Sequence, residues 1–153
     1  NKIRPIINLA HAYTTFGSFD LAIQYYEKAM SISSKNFSTN YNLGNLYLER
    51  GREEEAIGLL EMAAFIRPNN LEVNVLLGEV YLKRKTIDRA EFYFKKAVQL
   101  NPKYALAMRN LGIIYYFHLK KNKKAAVYFS QSLSIDPNQK GADNIRILIK
   151  QIK

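Results

Sequence analysis

Few side chains in this sequence have the types and spacing that catalysis or metal binding requires. The 153 residues include no cysteine and two histidines, His11 and His118, which stand far apart along the chain. Thiolate metal sites and cysteine nucleophiles are therefore excluded, and the two histidines are not expected to share a metal or a proton. No glycine-rich phosphate loop is present. The sequence predicts no catalytic residue, no metal site and no cofactor, so we expect a protein that is not an enzyme.

Three consecutive carboxylates, Glu53, Glu54 and Glu55, form an acidic cluster. They stand at the start of a helical pattern, where the positive end of the helix dipole favours acidic side chains. Single acids, Asp20 and Asp88, stand at the start of two other helical patterns. We therefore interpret the cluster as a charge that stabilises a helix and aids solubility, rather than as a metal-binding or catalytic site.

Positive charge is concentrated in the second half of the chain. Residues 1–80 contain seven Lys or Arg and nine Asp or Glu, whereas residues 81–153 contain 16 and four. Part of this charge falls in the turns between predicted helices, and we call these residues the basic edge: Lys83, Arg84, Lys85, Lys120, Lys121, Lys123 and Lys124. Such an edge could bind nucleic acid, an anionic lipid surface or an acidic protein. Aromatic residues do not interleave with it apart from Phe117, which argues against base stacking, and solvated lysines are the favoured interpretation.

A cluster of one leucine, one glycine or alanine and one tyrosine recurs every 34 residues. The copies are Leu9, Ala10 and Tyr13; Leu43, Gly44 and Tyr47; Leu77, Gly78 and Tyr81; and Leu111, Gly112 and Tyr115. Each set stands at i, i+1 and i+4, which places its side chains on one face of a helix. A second cluster follows each of them: Ala22, Tyr26 and Ala29; Ala56, Leu60 and Ala63; Ala90, Phe94 and Ala97; and Ala125, Phe129 and Ser132. The period predicts helix pairs, which must stack to bury their apolar faces.

This pattern resembles the tetratricopeptide repeat family, in which Leu-Gly, Tyr, Ala, an aromatic residue and a closing Pro recur in one unit. The resemblance implies an all-α fold, a right-handed superhelical solenoid of four helix-turn-helix repeats plus a C-terminal capping helix. We expect a single domain over residues 1–153, with repeats at about 3–36, 37–70, 71–104 and 105–139 and the cap at about 140–152.

The chain departs from the family unit in two respects. The first aromatic residue of the unit is replaced by Ile6, Asn40, Asn74 and Met108, which predicts looser packing at the start of each first helix. The fourth copy is one residue longer between its two clusters, and we place the extra residue in the turn inside that repeat.

One more amphipathic pattern follows the fourth copy. Ile145, Leu148, Ile149 and Ile152 recur at helical spacing and form a single apolar stripe. Because the end of a repeat array needs a helix with a polar outer face, we interpret this stripe as the cap rather than as a membrane-surface helix. No apolar run in the sequence is long enough to cross a membrane.

In this family the first helices of the repeats line a concave surface that typically holds an extended peptide. The positions of those helices that face away from the partner helix give the predicted groove residues: His11, Tyr41, Asn42, Asn45, Glu49, Glu72, Val75, Glu79, Leu82, Arg109, Asn110, Ile113 and Tyr116. Asn42 and Asn45 can each donate and accept hydrogen bonds, which suits a peptide backbone. We expect Leu76, Leu82 and Phe117 to pack against the adjoining repeat. Exposure is favoured for Tyr41, Asn45, Glu79 and Arg109.

The resemblance, together with the missing catalytic groups, predicts a non-catalytic protein-interaction module that binds a peptide or protein segment in the groove, as a scaffold or adaptor. The positive second half predicts that part of the bound segment is acidic. Two alternatives stay open: a binder of nucleic acid or anionic surfaces through the basic edge, and a regulatory segment of a larger enzyme. Because the chain begins with Asn1, we expect part of a longer or processed protein. A cytoplasmic location is favoured, and export or anchoring stays open if an upstream segment exists.

Overall fold

The computed structural model describes residues 2–152, and the regular structure of those residues is helical, with no strand. The helices follow one another in this order: α1 Ile3–Thr15, α2 Phe19–Ile32, α3 Phe37–Glu49, α4 Glu53–Ile66, α5 Leu71–Lys83, α6 Ile87–Leu100, α7 Ala105–Ile113, α8 Asn122–Ile135 and α9 Ala142–Ile152. This order confirms the predicted all-α fold of helix pairs with one further helix. Asn1 and Lys153, which the predicted domain includes, lie outside the described residues. The helices form two compact units that divide between Val73 and Asn74, within α5.

The two helices of a repeat approach one another through the small residues of the recurring clusters. α1 packs against α2 and α3 against α4 in the first unit, and α7 packs against α8 in the second. Ala10 is fully buried. A Cβ atom added to Gly44 would lie 2.9 Å from Leu60 Cγ, and one added to Gly78 would lie 2.8 Å from Cε1 of Phe94. The small residues therefore leave room for a large side chain of the partner helix.

The turn inside every repeat has three residues, and the second of them adopts the left-handed conformation. Its φ angle is +74° at Gly17 and Gly51, +59° at Lys85 and +54° at Lys120. The next backbone N–H donates a hydrogen bond of 2.8 to 2.9 Å to the carbonyl oxygen of the recurring tyrosine. Glycine adopts this conformation without a steric cost, whereas a lysine is strained in it.

The extra residue of the fourth repeat lies in a helix and not in the turn. The turn at residues 119–121 has three residues, like the others. Instead α7 continues as a π-helical segment, Ile114–His118, in which the backbone N–H of Leu119 donates to the carbonyl oxygen of Ile114 at 3.0 Å. A π-helical turn holds one residue more than an α-helical turn, because its hydrogen bonds reach five residues back. The predicted position of the extra residue is therefore wrong, since the helix absorbs it.

The start of α3 is not loosely packed, although it lacks the aromatic residue of the family unit. Asn40, which stands at that position, is 1% exposed. Its Nδ2 donates to the carbonyl oxygens of Ser34 and Asn36 at 2.7 and 2.8 Å. The Oδ1 atom of Asn36 accepts the backbone N–H of Thr39 at 3.0 Å and caps the helix. A polar clamp thus replaces the aromatic contact, and the prediction of looser packing is wrong for this helix.

The C-terminal helix α9 packs against α8. Ala142 and Ile145 of α9 are buried, and Leu148 is half-buried. Arg146 holds the preceding loop, because its Nη2 donates to the carbonyl oxygen of Pro137 at 2.6 Å. This arrangement agrees with the predicted cap, whose helix begins two residues later than expected. Within residues 2–152, no helix is long and apolar enough to cross a membrane.

Candidate functional site

The groove residues of the first unit lie on α1, α3 and the first turn of α5. His11, Glu49 and Glu72 are exposed, and Tyr41, Asn42 and Asn45 are half-buried: these six residues make up the first unit's share of the prediction. The ring of Tyr41 stacks on Phe37, one turn earlier in α3, with 5.9 Å between ring centroids. Tyr41 and Asn45 are thus accessible on one face of α3, where they can meet a ligand.

Asn42 is shared between this surface and the core. It neighbours the hydroxyl of Tyr26, a core residue of α2 that is 1% exposed. Burial raises the pKa of Tyr26, and the side chains of Thr14 and Asn42 oppose that rise. Neither side chain makes a full hydrogen bond with the Tyr26 hydroxyl, which is buried without a partner among the described residues.

In the second unit the structure buries two of the predicted groove residues. Val75 and Asn110 are each 6% exposed, so neither side chain can meet a bound segment, and these two assignments are corrected. Glu79 is exposed, and the remaining members are half-buried: Leu82, Arg109, Ile113 and Tyr116. Counting positions along a helix gives the face on which a residue lies but not what covers that face.

Arg109 and Glu79 form an electrostatic pair on this surface. Glu79 is exposed as a residue, but neighbouring atoms partly desolvate its carboxyl and raise the pKa, and the positive charge of Arg109 opposes that rise. The Nη1 atom of Arg109 donates to the backbone carbonyl oxygen of Lys140 at 3.0 Å, in the loop before α9. Arg109 is therefore fixed against the cap loop, with its guanidinium group still partly accessible.

A cleft of about 440 Å³ lies between the first helix of the fourth repeat and the cap, and we call it the cap cleft. Its lining residues are Arg109, Ile113, Phe117, Phe129, Lys140, Gly141, Asn144, Ile145 and Leu148. Phe117 was expected to pack against the adjoining repeat but is 50% exposed, and its ring meets Tyr116 edge to face at 4.8 Å. Both aromatic residues belong to the π-helical segment, a type of helical irregularity that is frequent at functional sites.

The sequence prediction missed the part of the cap cleft that α9 supplies. Lys140, Asn144 and Leu148 face the first helix of the fourth repeat across the cleft. The sequence did contain a signal for this wall, because the apolar stripe of α9 placed Leu148 on the packed face of the cap. The prediction treated the cap helix only as a helix that shields the end of the array, and did not consider that it also forms one wall of a cleft.

All residues of the basic edge are exposed in the structure. Lys85 and Lys120 occupy the left-handed positions of their turns. Lys123 and Lys124 stand in the first turn of α8, where a helix dipole disfavours positive charge, and the other second helices carry acids there. The Nζ atom of Lys124 lies 5.5 Å from the centre of the Tyr115 ring. The edge is thus a solvent-accessible cationic surface.

Across the part of the chain that the structure describes, no three His, Cys, Asp or Glu side chains are grouped as a metal site would need. His11 lies on α1 and His118 ends the π-helical segment, in different units.

Comparisons with known proteins agree with the arrangement of these elements. A family model described as Tetratricopeptide repeat matches residues 13–78, and another with the same description matches residues 71–104 and 109–139. Tetratricopeptide repeat protein 6 of Homo sapiens is 48% identical over 44 residues, which are 29% of this chain and 8% of that protein. The chain thus spans less than a tenth of that relative's length.

Solved structures share the fold at low sequence identity. A crystal structure of MamA is 24% identical with a TM-score of 0.83, and the match covers 98% of this chain and 85% of that one. The structure of YrrB, described as a TPR protein with an unusual peptide-binding site, is 22% identical with a TM-score of 0.81 over 97% and 85% of the two chains. A MamA structure from Desulfovibrio magneticus RS-1 is 19% identical with a TM-score of 0.84 over 99% and 89%. Together with the family models, these likenesses confirm the predicted fold class: the chain belongs to the tetratricopeptide repeat family.

Proposed function

We propose that this chain is a non-catalytic interaction module that holds a protein segment in the cap cleft of its second unit. The observation that carries the proposal is the cap cleft itself, an apolar space of about 440 Å³ with two cations among its lining residues. YrrB, a protein of the same fold that is described as having an unusual peptide-binding site, supports this direction.

The cap cleft suits an apolar side chain that has an acidic neighbour. Ile113, Phe117 and Leu148 provide an apolar wall that a leucine, methionine or phenylalanine of the segment can cover. Arg109 and Lys140 stand at the same cleft and can pair with a carboxylate of the segment. The guanidinium of Arg109 is already held by the cap loop, so little side-chain entropy is lost when it binds.

On the first unit, α3 offers polar contacts for an extended backbone. Asn45 and Tyr41 are accessible and carry both donors and acceptors. These polar contacts can give direction and register to a segment bound on the first unit.

The basic edge suggests a second candidate function, the binding of nucleic acid or an anionic surface. Seven exposed cations, two of them in an unfavourable first helical turn, are the observation in its favour. In our proposal the same lysines instead accelerate the capture of an acidic segment, because charges at the rim of an interface act mainly on the association rate.

An array of synthetic peptides tests the proposal at equilibrium. We expect peptides that combine a large apolar residue with Asp or Glu to bind. Phe117→Ala should lower the affinity for these peptides by roughly tenfold. Phe65→Ala is the matched control, because Phe65 is a still more exposed phenylalanine on α4 of the first unit. Equal losses in both variants, or a preference for RNA over every peptide, would count against peptide binding in the cap cleft.

A further inference from the structure

A second pocket, of about 490 Å³, opens between α2, α3 and α4 of the first unit. Its lining residues are Glu27, Met30, Leu43, Tyr47, Glu55, Gly58 and Leu59. None of them belongs to the predicted groove residues, the basic edge or the cap cleft. Apolar side chains form most of the wall, and two glutamates supply the charge.

This pocket lies where the second repeat lacks a tyrosine that the other repeats have. In the first, third and fourth repeats the recurring tyrosine stacks on a second tyrosine: Tyr13 on Tyr25 at 5.3 Å, Tyr81 on Tyr93 at 5.8 Å and Tyr115 on Tyr128 at 5.4 Å. The corresponding residue of the second repeat is Leu59, which follows Gly58. A Cβ atom added to Gly58 would meet nothing within 4 Å. In the second repeat the guanidinium of Arg52 lies over the Tyr47 ring, 3.9 Å from its centroid, and the smaller Leu59 takes the place of the second tyrosine ring.

The positive charge of Arg52 acts on the carboxylate of Glu27, but the two groups make no ion pair. Glu27 accepts a hydrogen bond of 3.0 Å from the hydroxyl of Tyr47. Burial raises the pKa of Tyr47, and this hydrogen bond and the charge of Glu27 raise it further. Among residues 2–152, no lysine or arginine makes an ion pair with Glu27, whereas Glu55 is paired with Arg52 at 2.8 Å. The two glutamates thus outnumber the one arginine beside them, and the pocket keeps a net negative charge.

The corresponding place in the fourth repeat has the opposite charge and a ring of its own. A pocket of about 390 Å³ there is lined in part by Lys124, Val127 and Tyr128. In the repeat alignment these residues correspond to Glu55, Gly58 and Leu59 of the second repeat: Lys124 to Glu55, Val127 to Gly58 and Tyr128 to Leu59. The combination of acidic lining residues and a missing second ring is therefore found in the pocket of the first unit, and the fold alone does not produce it.

We propose that the pocket of the first unit binds a protein segment that inserts an aromatic side chain beside Tyr47 and Leu59 and places a neighbouring Lys or Arg next to Glu27. The inserted ring takes the place that a tyrosine of the chain takes in the other repeats, and aromatic side chains bury much apolar area in such a contact. The cation forms a charge-assisted hydrogen bond with the Glu27 carboxylate, which makes no ion pair with Arg52. The site selects a basic aromatic segment, whereas the cap cleft selects an acidic one, so the two can bind different ligands.

Titration of the isotopically labelled protein with short peptides, followed by NMR, tests this site directly. The probe is a capped peptide with one phenylalanine between two lysines, and the matched peptides carry Ala for Phe or Glu for Lys. We expect saturable shifts of the backbone amides of Met30, Gly58 and Leu59, and roughly tenfold weaker binding of either matched peptide. Shifts that are spread over the surface, or that are equal for all three peptides, would overturn the proposal.

Variants that fill the pocket separate this site from the rest of the surface. Leu59→Tyr restores the ring of the other repeats, and Gly58→Gln restores the residue of the first repeat, Gln24. Both are expected to reduce binding of the probe by roughly tenfold, and Gly58→Gln also favours the helix, so the protein stays folded. Glu27→Gln keeps an acceptor for Tyr47 but removes the charge, and should weaken binding severalfold and lower its salt dependence.

The control is Leu148→Ala in the cap cleft, which should leave binding of the basic peptide unchanged. Normal binding by both Gly58→Gln and Leu59→Tyr, or a loss in Leu148→Ala equal to theirs, would contradict the proposal. A failure of this site leaves the cap cleft untouched, since the two sites share no residue.

Discussion

Gly112 and Phe129 make the tightest of the glycine contacts between paired helices. A Cβ atom built on Gly112 would lie 2.4 Å from Cδ1 of Phe129, a separation at which the ring or a helix must move. The corresponding distance in the second repeat is 2.9 Å, from Gly44 to Cγ of Leu60, whose side chain has more freedom to adjust. In both repeats the glycine thus makes room for a side chain of the partner helix.

We expect Gly112→Ala to lower the free energy of unfolding by roughly 1–3 kcal/mol, because overpacking forces the Phe129 ring out of its position. Gly44→Ala should cost less. Gly58→Ala is the control, since its Cβ atom enters open space and alanine favours a helix interior. Urea denaturation checks these values, and a loss in Gly58→Ala as large as that in Gly112→Ala would contradict the packing account.

The two lysines with positive φ angles lead to a prediction about the turns. Lys85→Gly and Lys120→Gly should each raise the free energy of unfolding by up to about 1 kcal/mol, because glycine removes the strain of the left-handed conformation. Lys85→Gln is the matched control, since it removes the charge and keeps the strain. Thermal unfolding distinguishes the two causes: an equal gain in Lys85→Gln would assign the effect to charge.

Glu91 of α6 provides a pH-dependent contribution to stability. Burial raises its pKa, but hydrogen bonds from Lys95 and Tyr115 and the charges of Lys95 and Lys121 outweigh that effect, so the pKa is lowered. The hydroxyl of Tyr115 donates to Glu91 Oε1 at 2.6 Å. A carboxyl whose pKa is lower in the folded state stabilises the protein above its unfolded pKa, and this stabilisation is lost as the pH falls through the folded value.

Glu91→Gln should therefore lower the free energy of unfolding at pH 7 by about 0.5–1 kcal/mol, and the difference from the parent protein should vanish in acid. Glu49→Gln, at an exposed carboxylate of α3, is the control. Denaturation measured from pH 3 to pH 7 checks the sign, and a difference that grows as the pH falls would show that the assignment is wrong.

The cap helix provides a prediction on solubility. Removal of residues 140–153 takes away Ile145, which is buried, and the loop carbonyl that holds Arg109. The apolar wall at Phe129 would then face solvent. We expect a lower melting temperature and self-association, because the ends of repeat arrays must cover their stacking face. Calorimetry and sedimentation check this, and a monomeric truncation with an unchanged melting temperature would refute it.

The recurring helices and their core residues could be predicted because a 34-residue period is a local signal, repeated four times. The hydrogen-bonded clamp at Asn40 could not be predicted, because it needs two backbone carbonyl groups that lie close to the Asn40 side chain only in the folded chain. The π-helical segment could not either, since one extra residue can enter a turn or a helix. The burial of Val75 and Asn110 depends on what covers a helix face, and spacing along one helix does not contain that information.

The kinetics of binding test the central claim most directly. With an acidic apolar peptide from the array, Phe117→Ala should speed dissociation roughly tenfold and change the association rate little, because the anchor acts after capture. Reversal of Lys120, Lys121, Lys123 and Lys124 to Glu should slow association roughly tenfold and reduce its salt dependence, with little change in dissociation. The account would be contradicted by normal peptide binding in Phe117→Ala together with loss of RNA or anionic vesicle binding in the lysine variant. The basic edge would then be the functional surface.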